Sequence, residues 1–253
     1  MMAQNPIEVL KEYFGYDDFR VNQLEIIETV LRGEDAFVLM PTGSGKSVCY
    51  QIPAMLCRGM GIIISPLIAL MEDQVKALQQ NGVKAAYLNS TLSFREAHNI
   101  QRKAAAGHVD VLYVAPERLL TPDFQHFLTH VSPGLFAIDE AHCVSQWGHD
   151  FRPEYLRIRE VTDRFLDTPR MALTATADSV TREDILEKLN LRQAKVFISS
   201  FDRPNIHYHV QVKNKDKHQL LDFIRSKHPE RSGIVYARTR KRTESISEWL
   251  RQR

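Results

Sequence analysis

The stretch Met40-Pro-Thr-Gly-Ser-Gly-Lys-Ser47 decides the fold. An apolar run, Ala36-Phe-Val-Leu-Met40, precedes it and reads as a buried strand. Residues 48–56 follow and can run on as a helix until Cys57-Arg-Gly59 breaks it. A Gly-rich turn between a strand and a helix is the setting in which this pattern binds phosphate. Gly43 and Gly45 let the backbone turn its N–H groups inward as an anion nest, with Thr42 and Ser44 filling the turn. The helix N-terminus adds partial positive charge. Lys46 has the length to reach the outer phosphates of a nucleotide, and the Ser47 hydroxyl is placed to ligate Mg²⁺. The plainer alternative is a Gly-rich turn with a surface lysine. Gly-Lys-Ser with a strand before and a helix after speaks against it.

Composition sets wide bounds around this motif. A chain of 253 residues can bury one large core or carry two domains. No run approaches the ~18 apolar residues of a membrane span, and Met1-Met-Ala-Gln-Asn-Pro6 lacks the pattern of a secretory signal. Cys49, Cys57 and Cys143 show no C-x-x-C spacing, which points to a reducing compartment without a disulfide frame or zinc site. The net charge of +2 neither requires nor excludes nucleic acid, because a local basic stripe can hide in a balanced total.

Upstream of the turn, residues 6–33 read as helical with breaks. Gly15 ends a first segment and 23–31 form a second helix. Between them lies Phe14-Gly-Tyr-Asp-Asp-Phe-Arg-Val-Asn-Gln23. Tyr16 or Arg20 can stack on a base, and Gln23 offers both a donor and an acceptor to an adenine edge. By itself the stretch reads as an amphipathic helix pair with a capped turn. Beside a phosphate loop it reads as adenine recognition.

Downstream the pattern alternates. Strands are expected at 61–65, 83–88, 109–115, 135–139, 170–173 and 195–199, and helices at 67–80, 93–106, 117–130, 154–165 and 179–189. This predicts an α/β fold, a mostly parallel sheet with helices on both faces and ligands at the carboxyl ends of the strands. Two clusters end such strands. In Phe136-Ala-Ile-Asp-Glu-Ala-His142, Asp139 is placed to hold Mg²⁺ through water while Ser47 holds it directly, and Glu140 to polarise an attacking water. A solvated strand end is the alternative. It is set aside because a phosphate loop needs such an acid from a neighbouring strand. In Ala172-Leu-Thr-Ala-Thr-Ala177, small residues and hydroxyls can contact His142 and relay the state of the nucleotide. Between the clusters runs Cys143-Val-Ser-Gln-Trp-Gly-His-Asp-Phe-Arg-Pro-Glu-Tyr155. Gln146, Trp147, His149, Phe151 and Arg152 offer the stacking faces and cation that single-strand binding uses. A core Trp under a loop is the ordinary alternative. His142, Cys143 and His149 lack a fourth ligand at zinc spacing.

Together these pieces resemble DEAH-type helicases of superfamily two, and specifically the RecQ family, over almost the whole chain. The segment 14–23 matches the adenine-recognition motif, which implies base contacts from Tyr16, Arg20 and Gln23. The phosphate loop carries Met40 where the usual pattern has its first Gly, as motor-type loops often do. Ser65-Pro-Leu-Ile-Ala-Leu-Met-Glu-Asp-Gln74 resembles a DNA-contacting motif and Tyr113-Val-Ala-Pro-Glu-Arg118 the one after it. Asp139-Glu-Ala-His142 is the family's acidic motif, 146–153 resembles its coupling loop, and Leu173-Thr-Ala-Thr176 its next motif. Ser200-Phe-Asp-Arg-Pro-Asn205 resembles the opening of a second lobe, and Gly233-Ile-Val-Tyr-Ala-Arg-Thr-Arg240 a motif within it. The resemblance implies a RecA-like first lobe over 1–204 and the start of a second over 205–253. There, strands are expected at 206–212 and 233–236 and helices at 217–227 and 239–251. Later motifs, among them an arginine finger, and the zinc-binding and winged-helix domains are not in the sequence, so the chain reads as a fragment.

The resemblance further implies an ATP- and Mg²⁺-dependent DNA helicase moving three-prime to five-prime in recombination and repair. Single-stranded and forked DNA are the expected partners, alongside single-strand-binding and other repair proteins. It implies a monomer in the bacterial cytoplasm at the nucleoid, with a eukaryotic nucleus as the second choice. Three rivals stand beside it. One is a nucleotide- and DNA-binding module without efficient turnover, since an absent arginine finger can cost on the order of 10³ to 10⁵ in rate. The others are a kinase of small metabolites, disfavoured by the aromatic loop, and an RNA helicase, since stacking accepts either strand type.

Overall fold

The computed structural model describes residues 5–148, 150–200 and 206–252. These fall into two units, 5–200 and 206–252. The first opens with a short helix, α1 (Pro6–Val9), capped by Asn5 and Glu8, which passes into a π turn over Leu10–Phe14 and stops at left-handed Gly15. Helix α2 (Gln23–Leu31) follows, then β1 (Ala36–Leu39), the Gly-rich turn and α3 (Lys46–Leu56). The alternation continues with β2 (Met60–Ile64), α4 (Ile68–Gln80), β3 (Ala85–Leu88), α5 (Phe94–Ala105) and β4 (Val111–Val114). After α6 (Pro116–Leu119) and α7 (Pro122–Leu128) come β5 (Pro133–Ile138) and a 3-10 turn over Ala141–Val144. Helices α8 (Pro153–Leu156) and α9 (Ile158–Thr162), β6 (Arg170–Thr174), α10 (Ser179–Lys188) and β7 (Lys195–Ile198) complete the unit.

The strands form one sheet in the order β3-β4-β2-β5-β6-β1-β7, and every pairing is parallel. Side chains alternate across it. Phe37 and Leu39 of β1 join Ile62 and Ile64 of β2 on one face, over α5 to α10; Ala36, Val38 and Ile63 join the other face, under α2, α3 and α4. Both faces are covered, which is why these strands read as unbroken apolar runs rather than as alternation. The N-terminal segment packs separately on α3 through Val9, Leu10, Ile27 and Ile52.

Three expectations need correction. The helix expected over 117–130 is two helices, because Thr121 caps a new start with Pro122 in its first turn. The helix expected over 154–165 is interrupted at Arg157, which ends α8 and begins α9. Strand β5 is not the neighbour of β1, because β6 lies between them. The acid at its end therefore faces the phosphate loop across one inserted strand.

In the second unit, α11 (Asp216–Lys227) and α12 (Arg240–Arg251) are present, and Lys217 Nζ reaches the Ser245 hydroxyl at 2.9 Å. The strands expected at 206–212 and 233–236 are not formed. Their apolar residues stand exposed, Val210 and Val212 at 91% and Tyr236 at 90%, and a strand without a paired neighbour leaves its backbone bonds to water.

Candidate nucleotide and metal site

The site collects at the carboxyl ends of β1, β5 and β6, where backbone geometry rather than composition places each group. Gly43 and Gly45 adopt φ of 80° and 87°, the left-handed region that glycine tolerates without strain. At Gly45 there is a second reason, since a Cβ there would collide with the Gln23 amide. The turn closes with Ser44 N–H donating to Pro41 O at 3.1 Å, and Lys46 and Ser47 open α3. Thr42 and Gly43 are exposed and Ser44 half-buried.

Lys46 turns back across the sheet. Its ammonium lies 3.1 Å from Asp139 Oδ1 and 3.3 Å from Glu140 Oε1. Burial works against the Lys46 charge, but the two carboxylates outweigh it and raise its pKa. Burial raises the Asp139 pKa, against the pull of Lys46. Burial also pushes Glu140 upward, yet hydrogen bonding to His142 and the Lys46 charge prevail and hold it at about 2. Glu140 sits at φ 48° and ψ 45°, a left-handed position uncommon for a residue with a side chain, at the start of the 3-10 turn. That conformation aims its carboxylate back over the phosphate loop.

The inserted strand β6 serves both neighbours. Thr174 O accepts from Met40 N–H at 3.1 Å, which ties β6 to the base of the phosphate loop. Thr174 Oγ1 meets His142 Nδ1 at 2.9 Å, and Glu140 Oε2 meets the same nitrogen at 3.3 Å. Both geometries are satisfied when Nδ1 carries the proton. Tyr155 O–H donates to Asp139 O at 2.9 Å and anchors the acidic turn from below. Sequence reasoning placed Tyr155 in the aromatic loop and missed this support. A Tyr followed by an apolar stripe beyond Pro153 was the only available signal.

Oxygen donors of the kind a hard divalent cation takes are present. Asp139 Oδ1 is buried without a hydrogen-bond partner, its ion pair with Lys46 notwithstanding, and Ser47 lies at the first turn of α3. Among the described residues no three His, Cys, Asp or Glu side chains converge. One carboxylate and one hydroxyl suit Mg²⁺, which commonly completes its shell with water and substrate phosphates.

Beside the turn, Tyr16, Asp18, Arg20, Gln23, Gly43, Gly45 and neighbouring Leu10 and Val48 line a cleft of about 250 Å³. Tyr16 is more than half exposed at its mouth. Arg20 Nη1 donates to Gly43 O at 2.8 Å. Gln23 is buried; its amide donates to Gly45 O at 3.0 Å and its carbonyl accepts from Arg20 N–H at 2.8 Å. The segment expected to read a base thus also holds the phosphate loop in shape.

The loop after the 3-10 turn divides into a buried root and an exposed tip. Trp147 is 75% exposed, Gln146 is exposed and Phe151 half-buried. His149 lies outside the described residues. Gly148 lies against His142 O, where a Cβ would be only 2.5 Å away. The Arg152 guanidinium is committed, donating to Asp150 Oδ2 at 3.0 Å and to Pro66 O at 3.1 Å, so it braces the loop against the start of α4.

Among the described residues no helix is long and apolar enough to cross a membrane. Residues 20–185 match the family model for the DEAD/DEAH box helicase. The chain is 48% identical over 252 residues to the ATP-dependent DNA helicase RecQ of Pasteurella multocida, covering 100% of this chain and 40% of that protein. It is 42% identical over 253 residues to the ATP-dependent DNA helicase RecQ of Bacillus subtilis, covering 99% of this chain and 43% of that one. The chain therefore spans about two-fifths of the length of these relatives. Among solved structures, the DUF1998 helicase MrfA superposes with a TM-score of 0.70 at 18% identity, covering 99% of this chain and 41% of that one, a likeness of fold alone. With its Gly-Lys-Ser turn facing Asp139-Glu-Ala-His142 across β6, this chain belongs to the DEAD/DEAH box helicase family, and its sequence likeness within that family is to RecQ DNA helicases.

Proposed function

We propose that the chain carries the ATP-hydrolysing lobe of a RecQ-type DNA helicase, with 1–204 as the first RecA-like lobe and 205–253 as the start of a second. The observation that carries this reading is the Lys46–Asp139–Glu140 ion cluster, with Asp139 buried, at the mouth of the phosphate loop. Lys46 takes the outer phosphates, Ser47 and Asp139 hold Mg²⁺, and Tyr16, Arg20 and Gln23 border the base. The bound metal would neutralise phosphate charge during transfer to water. Lys46 pairs with both acids. Once phosphate draws it away, Glu140 loses a cation and gains basicity, and it then orients the attacking water. His142 and Thr174 sense this change beside Glu140.

DNA engages exposed Gln146 and Trp147 together with Phe151 and His149, and Arg152 passes the contact to α4. By the family resemblance of its motifs, the whole protein binds single-stranded and forked DNA and unwinds DNA in the three-prime to five-prime direction, in recombination and repair. It acts as a monomer with single-strand-binding and other repair proteins, at the bacterial nucleoid. The test is ATP hydrolysis by this chain with and without single-stranded DNA. DNA-stimulated turnover that disappears in Lys46→Ala supports the reading, and unchanged turnover in that variant overturns the site. Nucleotide and DNA binding without turnover would make the chain a recognition unit instead.

A further inference from the structure

A polar chain runs through the apolar layer beneath α3 and plays no part in the site as described. Tyr50, Gln51 and Tyr113 are buried, at 1%, 4% and 1% exposure. Tyr50 lies on α3, one helical turn beyond Ser47. The two tyrosine rings meet edge to face at 6.3 Å. The Gln51 amide spends both hydrogens on other elements, donating to Tyr113 OH on β4 at 2.9 Å and to Gln74 Oε1 on α4 at 2.8 Å. The chain therefore reads Tyr113, Gln51, Gln74. It joins α3, the helix that Lys46 and Ser47 open, to the helix that resembles a DNA-contacting motif.

Polar side chains in such a layer are costly unless every partner is in place, so the network tolerates few arrangements. A shift of α4 by about 1 Å away from α3, along the Gln51–Gln74 bond, would stretch that bond beyond hydrogen-bond range. The same helix is held at its start by Arg152 on Pro66 O. Helix α4 thus has one tether to the aromatic loop, just ahead of its first turn, and a second, separate tether to the second turn of α3.

We propose that Gln51, Tyr113 and Gln74 are positioning residues that couple nucleotide at the phosphate loop to single-stranded DNA on α4, by a route independent of the aromatic loop. The proposal rests on the DNA-binding reading above, carried from the aromatic loop to α4, which Arg152 ties to that loop through Pro66 O. Coupling between two sites is reciprocal and is measured as a ratio of affinities. The experiment is calorimetric titration of this chain with a non-hydrolysable ATP analogue, with and without a saturating single-stranded oligonucleotide. It is run on the wild type, Tyr113→Phe and Gln51→Met. In the wild type, DNA should change analogue affinity by about fivefold or more. In both variants the ratio should fall to within about twofold of one while the analogue still binds.

A wild-type ratio retained in Tyr113→Phe, with or without a lower melting temperature, overturns the proposal and leaves a purely structural network. Tyr113→Phe removes a single oxygen, so it reads the outcome even if Gln51→Met fails to fold. A wild type that binds no oligonucleotide overturns the DNA-binding reading itself, and that result is visible before any variant is compared.

Discussion

The two units hold the same kind of sequence to different ends. In the first, short apolar runs such as Ala36–Leu39 and Val111–Val114 are strands with every residue buried. In the second, 206–212 places Ile, Tyr, Val and Val at alternate positions, as good a strand pattern as any in the chain, and forms none. The runs differ less in propensity than in surroundings. Each strand of the sheet has a parallel neighbour to take its backbone bonds and helices to cover its faces, whereas Val210 and Val212 among the described residues have neither. Strand propensity is mostly fitness for a paired, half-buried surface, and it expresses itself only where that surface exists.

This contrast can be broken by substitution. Phe37→Ala removes a fully buried ring from β1 and should destabilise the first unit by about 3–5 kcal/mol. The shift of its urea midpoint measures this, and a shift below about 1 kcal/mol would mean that the sheet is not the core described. Next in size is a pH effect from Glu140. Its ordinary pKa of 4.5 falls to about 2 on folding, so its stabilisation is complete above 4.5 and is lost as pH falls towards 2. The raised pKa of Asp139 acts in the opposite sense, so the comparison to make is wild type against Glu140→Gln. The variant should lose less stability on acidification, and parallel pH profiles would remove Glu140 from the ion cluster.

Trp147→Ala should leave the urea midpoint unchanged, because the side chain is 75% exposed. It should weaken single-stranded DNA binding by about 1–3 kcal/mol, read by fluorescence anisotropy, and undiminished binding would place the strand elsewhere. Smallest of all, Val210→Ala should move stability by less than about 0.5 kcal/mol. A loss comparable to that of Phe37→Ala would show that 206–212 pairs in solution and would erase the contrast between the units.

Much of the site was legible before any coordinates. Gly43, Gly45, Lys46 and Ser47 work through backbone torsion and position on one strand–turn–helix, all of which lie within a few residues. Asp139 and Glu140 were legible because an apolar strand ending in acids has few other uses in such a fold. The commitments of Gln23 and Arg152 were not. A free amide and a free guanidinium look the same in sequence as ones spent on Gly45 O or Pro66 O, since those carbonyls lie 22 and 86 residues away. The polar chain from Tyr113 through Gln51 to Gln74 was hidden for the same reason, its members being spread over β4, α3 and α4.

By itself the sequence determined the parallel α/β character, the Gly-rich strand–turn–helix and the acids that meet its lysine, because these depend on local periodicity and on chemistry at fixed short spacing. Only the tertiary structure decided that β6 enters between β1 and β5, that Thr174 thereby touches both the loop and His142, and that 206–212 stays unpaired. Strand order and pairing are contests between distant segments for the same hydrogen bonds and the same cover. Their outcome depends on which neighbours are present, and no single segment records it.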